Sequence, residues 1–519
     1  MKTKTTDNSI VKGTLSLSMA ILMTKILGVI YKVPLSHILG DEGMGYFNSA
    51  YTLYGLFYIV SSTGIPKAIT MIICENINNN ERTAGIYKFL MKLATISGLL
   101  LTMLFLVLSP CFSRIFGSNK ITFSLLLLSP SILIVTVSGV VRGYLNAKLK
   151  LQKIAISQLL EGAVKLILGL SLAILGKELL LPLEYISALT ILGVTSGSLV
   201  SLVYMYYSSK SLITKEITRQ KCLFKRRELV LKAIKISFPI TLSSTLLTLG
   251  SVFDLVAISR ELPKLGYTEK EAISVYGNYT TLSVPMINLV VAILTPIAVA
   301  LLPKIVSAKC NGDKNIIKKE LTSSLRLTGI LSAACAMGYF FYPYEILNVL
   351  YNKNSALSGA ILFSALAPSA FLIPVLTILN TTLEGLGRIR ASLYSMTVSV
   401  LFKAVSSFLL IRISNIGVLG IPISTTMSYV LAILFSLYFL SKEGISHKIA
   451  IEIAVPIIFA VFSFYLPHRI LYNGSAVGNT GFAIFVSVIS ILIYTIMYIT
   501  YFSTFKKRNK IVKNAQYNI

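Results

Sequence analysis

The stretch "MTKILGVIYKVPLSHILG", residues 23–40, is apolar enough to cross a bilayer, yet it carries Lys25 and Lys32. A charge at the centre of a membrane helix costs roughly 2.5–3.5 kcal/mol on insertion scales, so a helix that keeps two lysines keeps them for a partner. The rest of the chain is equally apolar: 55% of its 519 residues are hydrophobic and 13% charged, with a mean hydropathy of +0.77. Lipid is the solvent this composition fits.

Apolar runs recur along the whole chain at the roughly 20-residue length that spans a hydrocarbon core about 30 Å thick. They predict an all-α integral membrane protein with fourteen transmembrane helices, at 14–39, 46–74, 89–112, 121–145, 154–176, 183–207, 233–259, 276–302, 325–350, 358–384, 391–413, 417–440, 449–467 and 480–504. The N-terminal "MKTKTTDNSIVKG" is polar and basic, and the apolar run after it is too long for a signal peptide, so the first helix is expected to stay. With the N-terminus placed in the cytoplasm, cytoplasmic segments and the helix mouths beside them hold 32 of the 48 Lys and Arg, and the opposite loops and mouths hold 9. By the positive-inside rule both termini are then cytoplasmic. The absence of Trp leaves the 27 tyrosines to form the interfacial belt.

The +28 net charge would suit nucleic acid if it were gathered in one groove with stacking aromatics, but it is dispersed among short loops, which excludes that partner. Five scattered cysteines without a CxxC pair give neither a disulfide framework nor a metal site. Three dispersed histidines, with no HExxH, GxSxG or P-loop pattern, suggest neither catalysis nor a cofactor.

Seven cations remain inside spans or at their immediate ends: Lys25, Lys32, Lys67, Arg142, Lys165, Arg326 and Lys403, against the acids Glu161, Asp254 and Glu384. At about 1.5 Å per residue, Lys25, Lys165 and Lys403 lie about 15–18 Å into their spans, too deep to snorkel easily. Lys32, Arg142, Arg326, Asp254 and Glu384 lie nearer helix ends, where snorkelling explains them. Glu161 and Lys165 are spaced i,i+4 in the favourable order, and either neutralise each other or face a cavity. Unpaired intramembrane cations mark a water-filled path, and a cationic path selects an anionic substrate.

The order of motifs repeats. "YTLYGLFYIVSSTGIPKAITMII" (51–73) and "YTTLSVPMINLVVAILTPIAVALLPKI" (279–305) both open Tyr-Thr and place a proline late, at Pro66 and Pro296; "VRGYLNA" (141–147) and "LEGLGR" (383–388) close later helices, and a helix with a central lysine follows each. This predicts two six-helix lobes in a parallel repeat, 1–207 and 233–440, joined by a basic linker, 208–232, and followed by two further helices and a basic tail, 441–519. Gly64, Pro66, Pro285 and Pro296 interrupt the second and eighth spans and are the candidate gating positions. Gly139 with Gly143, and Gly193 with Gly197, are GxxxG packing contacts.

The stretches "TKILGVIYKVPLSHILGDEGMGYFNSAYTLYGLFYIVSSTGIPKAI" (24–69), "VVRGYLNAKLKLQKIAISQLLEGAVKLI" (140–167), "FPITLSSTLLTLGSVFDLVAISREL" (238–262) and "LNTTLEGLGR" (379–388) resemble the multidrug/oligosaccharidyl-lipid/polysaccharide exporter superfamily. Within it they resemble the polysaccharide-transporter branch and the stage V sporulation protein B group. The resemblance spans both halves of the chain. It implies a V-shaped bundle that works by alternating access and moves undecaprenyl-pyrophosphate-linked saccharides, lipid II-like precursors, across the bacterial plasma membrane during spore cortex or envelope formation. Related lipid II flippases hold the pyrophosphate with cations of the first, second and eighth helices. The matching positions here are Lys25 and Lys32, then Lys67, and for the eighth helix only Tyr279 or Thr280. The substrate-binding set is thus Lys25, Lys32, Lys67, Arg142, Glu161, Lys165 and Lys403. The implied partners are the anionic lipid-linked saccharide, membrane lipid and envelope-synthesis enzymes. Two other functions fit parts of the pattern: a cation-coupled multidrug antiporter, which needs an acidic cavity, and a non-transporting scaffold, in which the intramembrane lysines are all paired.

Overall fold

The computed structural model describes residues 2–59, 63–76, 80–213, 226–413, 415–445, 447–471 and 480–517. Most of the basic linker (214–225) and the segment 472–479 lie outside the described residues. The ordered elements are helices: α1 Lys2–Ile59, α2 Ile65–Glu75, α3 Asn80–Ile115, α4 Ile121–Ala147, α5 Leu151–Glu178, α6 Leu183–Ile213, α7 Arg226–Glu261, α8 Glu269–Asn278, α9 Val284–Cys310, α10 Lys314–Phe341, α11 Pro343–Leu350, α12 Lys353–Leu366, α13 Ser369–Gly385, α14 Ile389–Arg412, α15 Gly420–Lys442, α16 His447–Leu471 and α17 Thr480–Tyr517. A π-helical turn, Tyr279–Ser283, joins α8 to α9.

Among the described residues, twelve helical spans are long and apolar enough to cross a membrane. They coincide one for one with the third to fourteenth spans expected from sequence. The first two expected spans begin in α1, which is two helices meeting at a kink at Gly40 (φ 63°, ψ −175°), directly after the expected end of the first span at residue 39; the second expected span, 46–74, is interrupted between Ile59 and Ile65. Elsewhere proline sets the breaks. Pro343 begins α11, and Pro368 caps α13, because a proline offers no N–H to the turn before it yet suits the first turn of a new helix. Outward-facing Leu99, Leu100, Leu101, Met103, Leu104 and Val107 on α3 are exposed, as expected of a helix solvated by lipid.

The chain divides into two compact units, Met1–Thr281 with Val400–Ile421, and Leu282–Ser399 with Pro422–Ile519. In the first, α4 packs against α3 and α6, α5 against α1 and α6, and α2 against α4 and α7. Its apolar core gathers Ile69, Ile72, Tyr87, Leu90, Val140 and Tyr144. In the second, α9 packs on α13, and α10 on α13 and α16. Arg326 there grips Glu452 through both guanidinium edges, its Nε donating at 2.9 Å. Arg326 is therefore half-buried and paired, not snorkelling: the fork of a guanidinium holds a carboxylate that the added helix α16 brings to α10.

Two crossings in the first unit require glycine. On α6, a Cβ on Gly193 would stand 2.5 Å from the Gly169 backbone, and one on Gly197 2.6 Å from the Glu161 carbonyl oxygen, so this GxxxG pair seats α6 directly on the Glu161 to Lys165 turn of α5. A Cβ on Gly277 would overlap the Asp41 carbonyl, and one on Gly45 the Ile273 carbonyl. That contact docks α8 on α1. The α8 helix is started by a capping box, with the Thr268 side chain accepting from the Glu271 N–H at 3.3 Å and the Thr268 N–H donating to the Glu271 carboxylate at 2.8 Å.

Gly277→Ala should therefore destabilise the purified protein by about 1–3 kcal/mol through overpacking. Gly28→Ala, where a Cβ meets nothing within 4 Å, should be neutral or stabilising. Thermal unfolding of the two variants side by side checks this, and equal midpoints would contradict the close crossing.

Candidate functional site

The polar interior of the first unit is built around α1. Lys32 donates to the Thr280 carbonyl oxygen at 2.9 Å and to Asn48 Oδ1 at 3.1 Å, and the Asn48 amide donates to Thr281 Oγ1 at 2.7 Å. The acceptor carbonyl is a product of local sequence. In a π turn the carbonyl of residue 280 faces the N–H of residue 285, five positions on, and residue 285 is proline. Pro285 leaves that carbonyl without its backbone donor, and the Lys32 ammonium supplies one.

Lys165 reaches the same region from α5. Its Nζ donates to Tyr51 OH at 3.0 Å and stands over the Tyr51 ring at 4.3 Å and the Tyr31 ring at 5.0 Å. No ion pair within 4.0 Å to Lys25, Lys32 or Lys165 occurs among the described residues. Lys25, almost two turns before Lys32 on α1, is exposed. Phe47, Tyr51, Tyr54 and Tyr58 form a continuous ladder along α1, with successive ring centroids 5.7, 5.7 and 5.6 Å apart.

Glu161 and Lys165 do not pair. Glu161 accepts from Ser198 Oγ at 3.3 Å, and Ser198 shares a 2.9 Å hydrogen bond with Tyr54 OH. Arg142 is buried and hydrogen-bonds Tyr58. Snorkelling therefore does not account for Arg142, since its guanidinium lies inside the bundle.

Lys403 belongs to a different arrangement. Its Nζ lies 2.7 Å from Asp254 Oδ2, both residues being buried. Asp254 is thus not a snorkelling acid, and Lys403 is not a free central cation: the two neutralise each other across α7 and α14. Two turns on, Arg412 pairs with Glu261 at 2.8 Å, and the Arg412 guanidinium holds the Glu261 carboxyl down at about 2.

Lys67 is exposed on α2, and among the described residues it makes no ion pair with the network above. Of the gating candidates, Pro66 sits in the first turn of α2, just after π-helical Thr63 and Gly64. A Cβ on Gly64 would collide with Thr241 of α7. Pro285 follows the π turn, whereas Pro296 lies within α9, which continues helically past it. Sequence pattern alone had not singled out Asn48, Tyr31 or Tyr51. The spacing of Phe47, Tyr51, Tyr54 and Tyr58 at three and four residues was the signal available for an aromatic helix face.

Residues 10–309 match the family described as "Polysaccharide biosynthesis protein". That is more than half of the chain, and the chain belongs to this family. It is 25% identical over 479 residues to the stage V sporulation protein B of Bacillus subtilis, covering 90% of this chain and 91% of that protein. It is 20% identical over 498 residues to the lipid II flippase MurJ of the same organism, covering 89% and 91%. Its fold is that of a solved lipid II flippase MurJ in an inward closed conformation, with a TM-score of 0.75 and 16% identity over 95% of this chain and 99% of that one.

If Lys403 and Asp254 are a structural pair, Lys403→Met alone should cost about 3–5 kcal/mol by leaving a buried carboxylate uncompensated. The double change Asp254→Leu with Lys403→Met should recover most of that loss. Unfolding of both variants in detergent is the measurement, and a double variant no better than the single would refute the pairing.

Proposed function

We propose, with membership of the polysaccharide biosynthesis protein family as the premise, that this multi-pass membrane protein is a flippase for a polyprenyl-pyrophosphate-linked saccharide, a lipid II-like envelope precursor. The observation that carries the proposal is that Lys32 and Lys165 are both held by neutral acceptors and aromatic rings, without a carboxylate within 4.0 Å. A pyrophosphate would meet both lysines as charge-assisted hydrogen-bond donors and supply the anion the bundle does not. The uncompensated pair argues against a scaffold, in which each lysine would be neutralised, and the cationic lining against an antiporter built on acids.

Lys25 is the proposed first contact for the pyrophosphate, Lys32 and Lys165 the central clamp, and the tyrosine ladder of α1 a face on which sugar rings can stack. Lys67 is the proposed substrate contact on α2, and buried Arg142 on α4 and Glu161 on α5, the latter held by Ser198, complete the set. The lipid tail stays in the bilayer, and the site opens alternately to the two membrane faces through movements at the interruptions before Pro66 and Pro285, with Pro296 lending flexibility further along α9. The repeat lobes 1–207 and 233–440 are the proposed moving bodies. Both termini are assigned to the cytoplasm of a bacterial plasma membrane, and envelope-synthesis enzymes are the proposed protein partners. No covalent chemistry is needed.

Translocation of fluorescent lipid II in proteoliposomes tests the site. Lys32→Gln and Lys165→Gln should each slow transport by about tenfold or more, the loss of roughly 1.4 kcal/mol of anion binding or greater, while Lys25→Arg retains part of the rate and Lys25→Gln loses it. Unchanged transport in Lys32→Gln and Lys165→Gln at normal protein level would overturn the assignment.

The topology has its own test. Because the basic residues divide 32 to 9, a reporter fused after Ile519 should signal cytoplasm, and one inserted at Gly474 the outer side. An outer signal from the C-terminal fusion would overturn this orientation.

A further inference from the structure

Away from the lysine site, α4 and α6 bound an open groove of about 420 Å³ at their N-terminal ends. Phe123, Leu126 and Leu127 form one wall and Pro182, Tyr185 and Leu189 the other, with the Phe123 and Tyr185 rings 4.7 Å apart. Apart from the Tyr185 hydroxyl, the side chains lining it are hydrocarbon. Both helices are candidate membrane spans, so the medium against the groove is lipid, not water.

The turn that enters α6 supplies a second observation. Leu179 and Leu180 are 70% and 90% exposed, and Leu180 holds φ 54°, a left-handed conformation that a branched side chain adopts at a cost. Two leucines held outward on a strained turn are unfavourable in water and favourable in the acyl region of a bilayer.

The charges at this end decide the kind of lipid. Lys120, which precedes α4, stands 3.8 Å from Glu184 of α6, with side-chain exposures of 48% and 19%. Lys177 and Glu178 end α5 and are exposed beside the same turn. In a chain of net charge +28, this end carries both signs: Lys120 and Lys177 with Glu178 and Glu184, and beside Tyr46, over which Lys120 stands, Glu42 paired with Lys270. It complements a headgroup carrying both signs, phosphate towards lysine and ammonium towards glutamate.

We propose that the groove between the N-terminal ends of α4 and α6 is a seat for one acyl chain of a zwitterionic phospholipid of the phosphatidylethanolamine class, with its headgroup over the Lys120–Glu184 rim. The chain fills the hydrocarbon trough, the exposed leucines dip beside it, and a lipid is retained as a fixed part of the first unit. This site stands on the groove and its rim and does not depend on the transported substrate.

The test uses the full chain in nanodiscs of equal parts phosphatidylethanolamine and phosphatidylglycerol, with a trace of one or the other carrying an acyl-chain diazirine. After irradiation, adducts of the phosphatidylethanolamine probe should concentrate in residues 121–127 and 181–189, about tenfold over the lipid-facing segment 99–107 of α3. The phosphatidylglycerol probe should show no such concentration. Leu189→Trp, which fills the groove, should bring labelling down to the α3 level while α3 labelling holds. Tyr185→Ala removes an exposed ring without touching the buried faces, and should also lower it if the tryptophan variant does not fold. Even labelling over all exposed helices, equal enrichment of the phosphatidylglycerol probe, or displacement by polyprenyl phosphate at a small fraction of the phospholipid would each overturn the assignment.

Discussion

The hydrogen bond from Lys32 to the Thr280 carbonyl anchors the polar interior of the first unit. It joins two costs that would each be prohibitive alone in a bilayer: a lysine inside an apolar helix and a backbone carbonyl left over by a π turn ahead of a proline. Satisfying one with the other involves no anion, so Lys32 is held without a carboxylate partner. The same contact fixes α1 against α8, and the close glycine crossing there lets the Thr52 hydroxyl meet Tyr276 OH at 2.6 Å and Asn278 donate to Asp41 at 3.0 Å.

How each intramembrane cation is compensated separates its role. Lys403 has a buried carboxylate at hydrogen-bond distance and contributes no net charge, as does Arg326 against Glu452. Lys32 and Lys165 are held by a carbonyl, an amide oxygen, a phenol and ring faces. Neutral acceptors position a cation and leave its field intact, which is what anion recognition requires. Burial is therefore a poor guide to function here, and partner chemistry a good one.

Much of the architecture follows from one-dimensional patterns. Apolar runs of spanning length locate twelve helical spans, with ends that differ by up to about a dozen residues, because the hydrocarbon thickness sets a minimum length and internal hydrogen bonding permits helix alone. The GxxxG pair Gly193 and Gly197 likewise announces a close helix contact, since only a missing side chain lets α6 reach the Glu161 carbonyl. The pattern is less informative where a break has no proline to mark it. Residues 40–45, "GDEGMG", look like a loop by composition; the chain kinks at Gly40 and a second helix starts directly after it, with Gly45 and the Asp41 carbonyl packed against α8.

The sequence by itself determined that this is a helical membrane protein of a recognisable family, with more positive than negative charge inside its spans, because composition and period are local properties that the bilayer reads directly. Which lysines lack a carboxylate partner was decided by tertiary structure alone. Glu161 sits four residues from Lys165, the spacing of an intrahelical pair, but Tyr51 from α1 and Ser198 from α6 draw the two apart. Asp254 and Lys403 are 149 residues apart and form the pair instead. Compensation of charge in low dielectric depends on distance in space, and the folding of distant segments against one another sets that distance.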